Sequence, residues 1–198
     1  MLDVDQLNQL HRDTTPRWDA HGPDNPYSGL LHLACGQHEC NYRLWQAEDE
    51  ARRRDVDDAT IARTKRCIDR LNQQRHDWAD RLDQMLLEHL QSAGVRPPTS
   101  APLNTETPAS AVDRLSVLSL RIFHLERITH QPGTQKAILA EAQSRLAICR
   151  RQQADLSAAL AGLWQELLTG RRRFALYRQL KMYDDPRFNP HLRCGREA

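Results

Sequence analysis

"PLNTETPASAVDRLSVLSLRIFHL", residues 102–125, is the stretch that decides the fold. It reads as a loop, then a helix start at Thr107-Pro108, then a helix with apolar residues on two sides. A threonine there can cap the first turn, and proline's missing N–H costs nothing in it. Ala111, Leu115, Leu118, Ile122 and Leu125 form one packing seam. Val117 and Leu120 lie on the other side, together with Asp113 and His124. A helix that is apolar both ways has neighbours on two faces and is therefore central. Yet this one carries Asp113, Arg114, Arg121 and His124, in a chain with ample exposed positions for charge.

Working outward, the helical period continues almost throughout. The 198 residues include only 8 glycines, and no alternating stretch bounded by turn residues suggests a strand. Long helices are predicted over 28–54, 59–93, 108–129 and 134–169. A short helix near 3–12 and the loop "TTPRWDAHGPDNPYSG" precede them. The link "DVDD" is short, which makes the first two long helices antiparallel neighbours. The segment 94–107 is a longer crossover stiffened by proline. In the last helix Leu139, Ala142, Leu146, Cys149, Gln153, Leu156, Leu160, Leu163 and Leu167 alternate steps of three and four, and Gly170 stops the run.

The expected fold is all-α: an up-and-down bundle of four long helices with a short N-terminal helix and a C-terminal tail. Its length suits one domain. Residues 1–27 are assigned to the N-terminal helix and loop, 28–169 to the bundle, and 170–198 to a basic and aromatic tail packing on it.

Bulk composition narrows the partners. With 28 basic and 26 acidic residues the formal charge is +2, which gives no strong field for nucleic acid or a membrane surface. No apolar run approaches the roughly 20 residues needed to span a bilayer, and "MLDVDQLNQLHRD" lacks a signal pattern. The five cysteines are irregularly spaced, which fits free thiols in a reduced, cytoplasmic setting.

On a wheel of residues 28–54, one side collects Ala34, His38, Asn41, Trp45, Glu48, Asp49 and Arg52. The next helix turns Ile61, Lys65, Ile68, Asp69, Asn72, Arg75 and His76 inward. Folding the pair back at "DVDD" sets Glu48 opposite Lys65 and Arg66, Trp45 opposite Asp69, Asn41 opposite Asn72 and Gln73, and His38 opposite His76. Buried polar groups require partners, so a polar cleft shared by the first three long helices is expected. Glu48, Asp49, Asp69, Asp113 and His38 are its candidate catalytic groups. Asn41, Trp45, Arg52, Lys65, Asn72, Arg75, Arg114 and His124 are its candidate ligand-binding groups.

A carboxylate-bridged metal site would use Glu-x-x-His pairs, and the chain has none. His38, Glu48, Asp49, Asp69 and His124 could supply ligands, but Lys65, Arg52 and Arg75 would oppose the cation, so no metal is expected. No Gly-rich phosphate loop or nucleophile elbow marks a cofactor or an activated serine. The same basic residues suit a small anionic or hydroxyl-rich ligand, with Trp45 as a flat face. A second class of function is a non-enzymatic interaction or scaffold protein. In it the leucine seam would pair with a partner helix or with a second copy in a homodimer. In the tail, arginines interleave with Phe174, Tyr177, Tyr183 and Phe188. That mixture can grip nucleic acid, but packing over the bundle end is the expectation here.

"HECNYRLWQAEDEARR", "KRCIDRLNQQRHD", "PLNTETPASAVDRLSVLSLRIFH" and "LYRQLKMYDDPRFNP" together resemble the ordered motifs of a bacterial family of helical proteins, domain-of-unknown-function family 4254. The resemblance covers roughly 30–190. The family pattern places a histidine where this chain has Gln46 and a glycine where it has Ala109. The resemblance implies a bacterial protein with a role in a surface-saccharide or other biosynthetic pathway, without naming a step.

Overall fold

The computed structural model describes residues 2–177 and 185–192. Five long helices carry it: α1 (Val4–His21), α2 (Gly29–Glu50), α3 (Asp58–Ser92), α4 (Pro108–His130) and α5 (Lys136–Leu168). A 3₁₀ turn follows at Pro190–Leu192. Among the described residues no strand forms beyond an isolated bridge between Leu103 and Arg173, and the all-α class is as expected.

The ends of α4 and α5 form as their sequences dictate. Thr107 caps α4 by accepting from the Ser110 N–H, with Pro108 in the first turn. Gly170, at φ 67°, ends α5, because a left-handed residue after the last turn is cheap only for glycine. The α2–α3 link is capped by Asp57, whose carboxylate accepts from the Thr60 N–H at 2.8 Å. α2 stops at Glu50, four residues before the expected end.

The first helix departs from expectation. It runs 18 residues, straight through Pro16, where a stop at residue 12 was expected. Proline removes one backbone bond, but the carbonyl it orphans belongs to exposed Arg12 and can reach water. The hydroxyls of Thr14 and Thr15 bond back to the carbonyls of Leu10 and His11. The buried face is Leu7, Leu10, His11, Thr14, Thr15 and Trp18. Its spacing is helical, but half of it is polar, so hydrophobic periodicity alone cuts the helix short.

α2 pairs with α3 and α4 with α5 as hairpins, while α4 also touches α1, α2 and α3. It is the central rod, as its two apolar faces require. The main core draws on all five helices through Leu7, Ala34, Leu82, Leu86, Val112, Leu115, Leu160 and Trp164. Phe174 of the tail is buried against it, whereas Tyr177 and Phe188 are exposed. The tail is tied to the crossover by the Asn104 N–H to Arg173 carbonyl bond, 2.8 Å. Tyr183 lies outside the described residues.

One feature of the packing positions the site. α3 and α5 run parallel on either side of α4 and do not pack along their lengths. They meet at their C-terminal ends, where Leu86 and Leu90 join Leu160, Trp164 and Leu167 in the core and the His89 ring stacks on Trp164 at 6.0 Å. Towards their N-terminal ends they part and leave a face of α4 uncovered.

Candidate functional site

That uncovered face is the floor of a trough. Arg114, Val117, Leu118 and Arg121 of α4 line a depression of about 680 Å³ walled by Gln152, Asp155, Leu156 and Ala159 of α5. Across α4 a second lobe of about 430 Å³ is lined by Asn41, Trp45, Glu48 and Asp49 of α2, by Arg52 just after it, and by Asn72 and Arg75 of α3. Val117 and Arg121 line both lobes. Helical spacing explains why: 114, 117 and 121 recur at three and four residues and share one face.

The polar groups at the back of the trough form a chain that crosses the bundle. The Asp113 carboxylate accepts from the Asn41 amide at 2.8 Å and lies 4.0 Å from Arg75 Nε. Arg75 reaches the Asn41 carbonyl oxygen at 3.5 Å. The Asn41 amide also donates to Ser116 Oγ at 3.0 Å, and Ser116 Oγ lies 2.7 Å from His38 Nδ1. On the far side His38 Nε2 meets the Thr15 hydroxyl at 2.9 Å. Thr15 has a single proton, which goes to the His11 carbonyl. One proton arrangement therefore satisfies every link: His38 donates from Nε2 to Thr15 and accepts at Nδ1 from Ser116. Burial, then the neighbouring His11, holds His38 well below the usual imidazole range, so the ring is neutral.

Several expected site residues stand elsewhere. Lys65 and Asp69 pair with each other on the outer surface of α3, with side chains 66% and 60% exposed. They do not meet Glu48 or Trp45. Glu48 instead pairs with Arg52, in the turn just after α2, at 2.7 Å. The low end of the α2–α3 hairpin is a wet surface, because those helices lack a third rod to cover it there. Trp45 stacks flat on His124, centroids 4.3 Å apart and planes 7° apart. Burial, then Arg127, lowers the His124 pKa. His38 is fully buried behind the trough and does not border it. Asn41, Asn72, Arg75, Asp113 and Trp45 do come together. Among the described residues no three His, Cys, Asp or Glu side chains converge as metal ligands would.

Other contributors were not anticipated. Gln152 and Asp155 bring α5 into the site, whereas Arg121, which joins the two lobes, is one of the charged residues already singled out on the central helix. The α5 residues lie off the leucine seam, where sequence alone reads ordinary solvated positions. His11, fully buried with no hydrogen-bond partner for either ring nitrogen, sits 4.6 Å from the His38 ring, and burial lowers its pKa to about 3. Asp83 is buried at the start of α4, where it accepts from the Ala109 N–H at 2.9 Å.

No curated protein and no solved structure matches the chain. A family model described as "Protein of unknown function (DUF4254)" matches residues 31–176, well over half of the sequence, and the chain belongs to that family.

Proposed function

We propose that this member of the family uses the trough over α4 to bind a small anionic, hydroxyl-bearing molecule. The observation that carries the reading is the pairing state of the arginines. Arg114 and Arg121 are exposed, two turns apart on the trough floor, and among the described residues neither forms an ion pair or hydrogen bond. Arg75 is half-buried, and its Nε has no hydrogen-bond partner. Guanidinium donors left unused beside a concavity suit a phosphate or carboxylate, which they grip with two bonds.

Around these cations stand groups suited to hydroxyls. Asn72 offers both donors and acceptors, and the Asn41 carbonyl oxygen, Asp113 and Asp155 accept. A sugar phosphate combines both chemistries. Asp113 is the carboxylate held most firmly at the back of the trough, by Arg75 and Asn41, and can accept a hydrogen bond from a bound hydroxyl. Glu48 and Asp49 border the same lobe from α2.

Thermal-shift measurements against sugar phosphates, nucleotide sugars and amino acids test this. A ligand that binds the folded chain alone raises the melting temperature, and does so increasingly as its concentration exceeds its Kd. Stabilisation by phosphorylated members, lost in Arg121→Ala and reduced in Arg75→Ala, is the expected result. A flat response across the panel would refute it.

A further inference from the structure

Arg121 and Trp45 also border a third recess, of about 320 Å³, and its chemistry differs from that of the trough. Its walls are Leu125 and Ile128 of α4 and Ile148 and Cys149 of α5, closed at one end by the Trp45–His124 stack. Ile148 leaves 55% of its surface in water. Arg121 and Arg145 are the cations at its edge, and Arg145 is engaged with Glu141.

The apolar recess and the polar lobe thus share two side chains, one a cation without a partner among the described residues and the other a flat aromatic. A purely polar anion in the trough would leave the recess wet. A molecule with an anionic head at Arg121 and a hydrocarbon body would fill both, and burying Ile128 and Ile148 would add to its affinity.

We propose that the ligand is an amphiphilic anion of this kind: a phosphate head in the polar trough and a single apolar chain in the recess beneath Trp45. This rests on the binding role of the trough and adds the class of molecule it takes. Arg121 sets the junction between head and chain. The recess selects for apolar bulk through its volume, with no hydrogen bond to the chain.

Calorimetry on the full chain with inorganic, methyl, butyl, hexyl and octyl phosphate, all below their micellar concentrations, tests it. Affinity is expected to rise about fourfold per methylene, the value for transfer of a methylene from water, and to level off once the recess is full. Ile148→Gln, at an exposed position and without added charge, should flatten that dependence on chain length, so that octyl phosphate binds no better than methyl phosphate. Arg121→Ala should weaken every member. If inorganic and methyl phosphate bind and longer chains bind no better, the amphiphile is refuted and the polar trough stands. If no phosphate binds, both fall. Two other outcomes would also overturn the amphiphile. One is binding to anionic phosphatidylglycerol vesicles without binding to monomeric alkyl phosphates. The other is a dimer in light scattering that Ile148→Gln dissociates, which would mean that a second copy covers the recess.

Discussion

His38 Nδ1 lies 2.7 Å from Ser116 Oγ at the centre of the bundle, and neither residue exposes any surface to water. This contact joins α2 to α4 and continues the polar chain from Thr15 on α1 to Asp113 at the trough. The interior is therefore held in register by hydrogen bonds as well as by packing.

Removing the middle link should be costly. Ser116→Ala leaves His38 Nδ1 without its donor and removes one acceptor of the Asn41 amide. Stranding a buried polar group costs about 1–3 kcal/mol, so urea denaturation should show a loss of that size. Asn41 then keeps only Asp113 and Arg75, and any trough ligand should bind more weakly. An unchanged midpoint would contradict the register role.

Acid should destabilise the protein through the two buried histidines, His11 and His38. Burial holds the folded-state pKa of His11 near 3 and lowers that of His38, both from an ordinary 6.5. The unfolded chain takes up these protons first, so the stability is present above pH 6.5 and is lost as pH falls below it. His11→Phe removes one of the two groups and fills similar space. Melting temperatures measured from pH 7.5 to 4.5 should therefore fall less steeply in the variant. Equal slopes would exclude His11 as a source.

Asp83 should act in the opposite sense. Burial raises its carboxyl to about 6 from 3.8, and the hydrogen bonds from Thr107 and the Ala109 N–H only partly offset this. A raised folded-state pKa favours the protonated form, so its contribution is full below pH 3.8 and is lost as pH rises through 6. Asp83→Asn keeps an acceptor for the Ala109 N–H without the charge. The variant should melt above wild type at pH 7.5 and close to it at pH 4. A variant less stable than wild type at pH 7.5 but equal to it at pH 4 would show that the charge itself favours α4 through the positive end of its dipole.

Gly36 permits the close approach of α2 to α3. A β-carbon added there would lie 2.6 Å from Trp78 Cε2, well inside van der Waals contact. Gly36→Ala gains about 1 kcal/mol of helix propensity, but displacing a ring should cost about 1–3 kcal/mol. Net destabilisation is expected in chemical denaturation, with partial recovery in the double variant with Trp78→Leu.

The helical class and the centrality of α4 were legible because both rest on local periodicity. Leu115, Leu118 and Leu120 sit at positions whose apolar character requires burial, and they are buried. The inward turn of Asn41, Asp113 and Arg75 follows from the same wheel, whereas the bond from Asn41 to Asp113 does not, since the hairpin register sets Asn41 opposite Asn72 and Gln73. Lys65 and Asp69 lie on the predicted stripe of α3 but beyond the reach of any covering helix, so the same periodicity there leads to water.

What the sequence determined alone is which residues share a face of which helix, because that depends on a fixed rise and twist per residue. Only the tertiary structure decided that α3 and α5 part over α4. That divergence follows from the packing of their C-terminal halves around Trp164 and from α1 extending past Pro16 to occupy the opposite side. How far two rods stand apart is a property of side chains distant in sequence meeting in space. No spacing within either helix encodes the gap in which Arg114 and Arg121 are left without partners among the described residues.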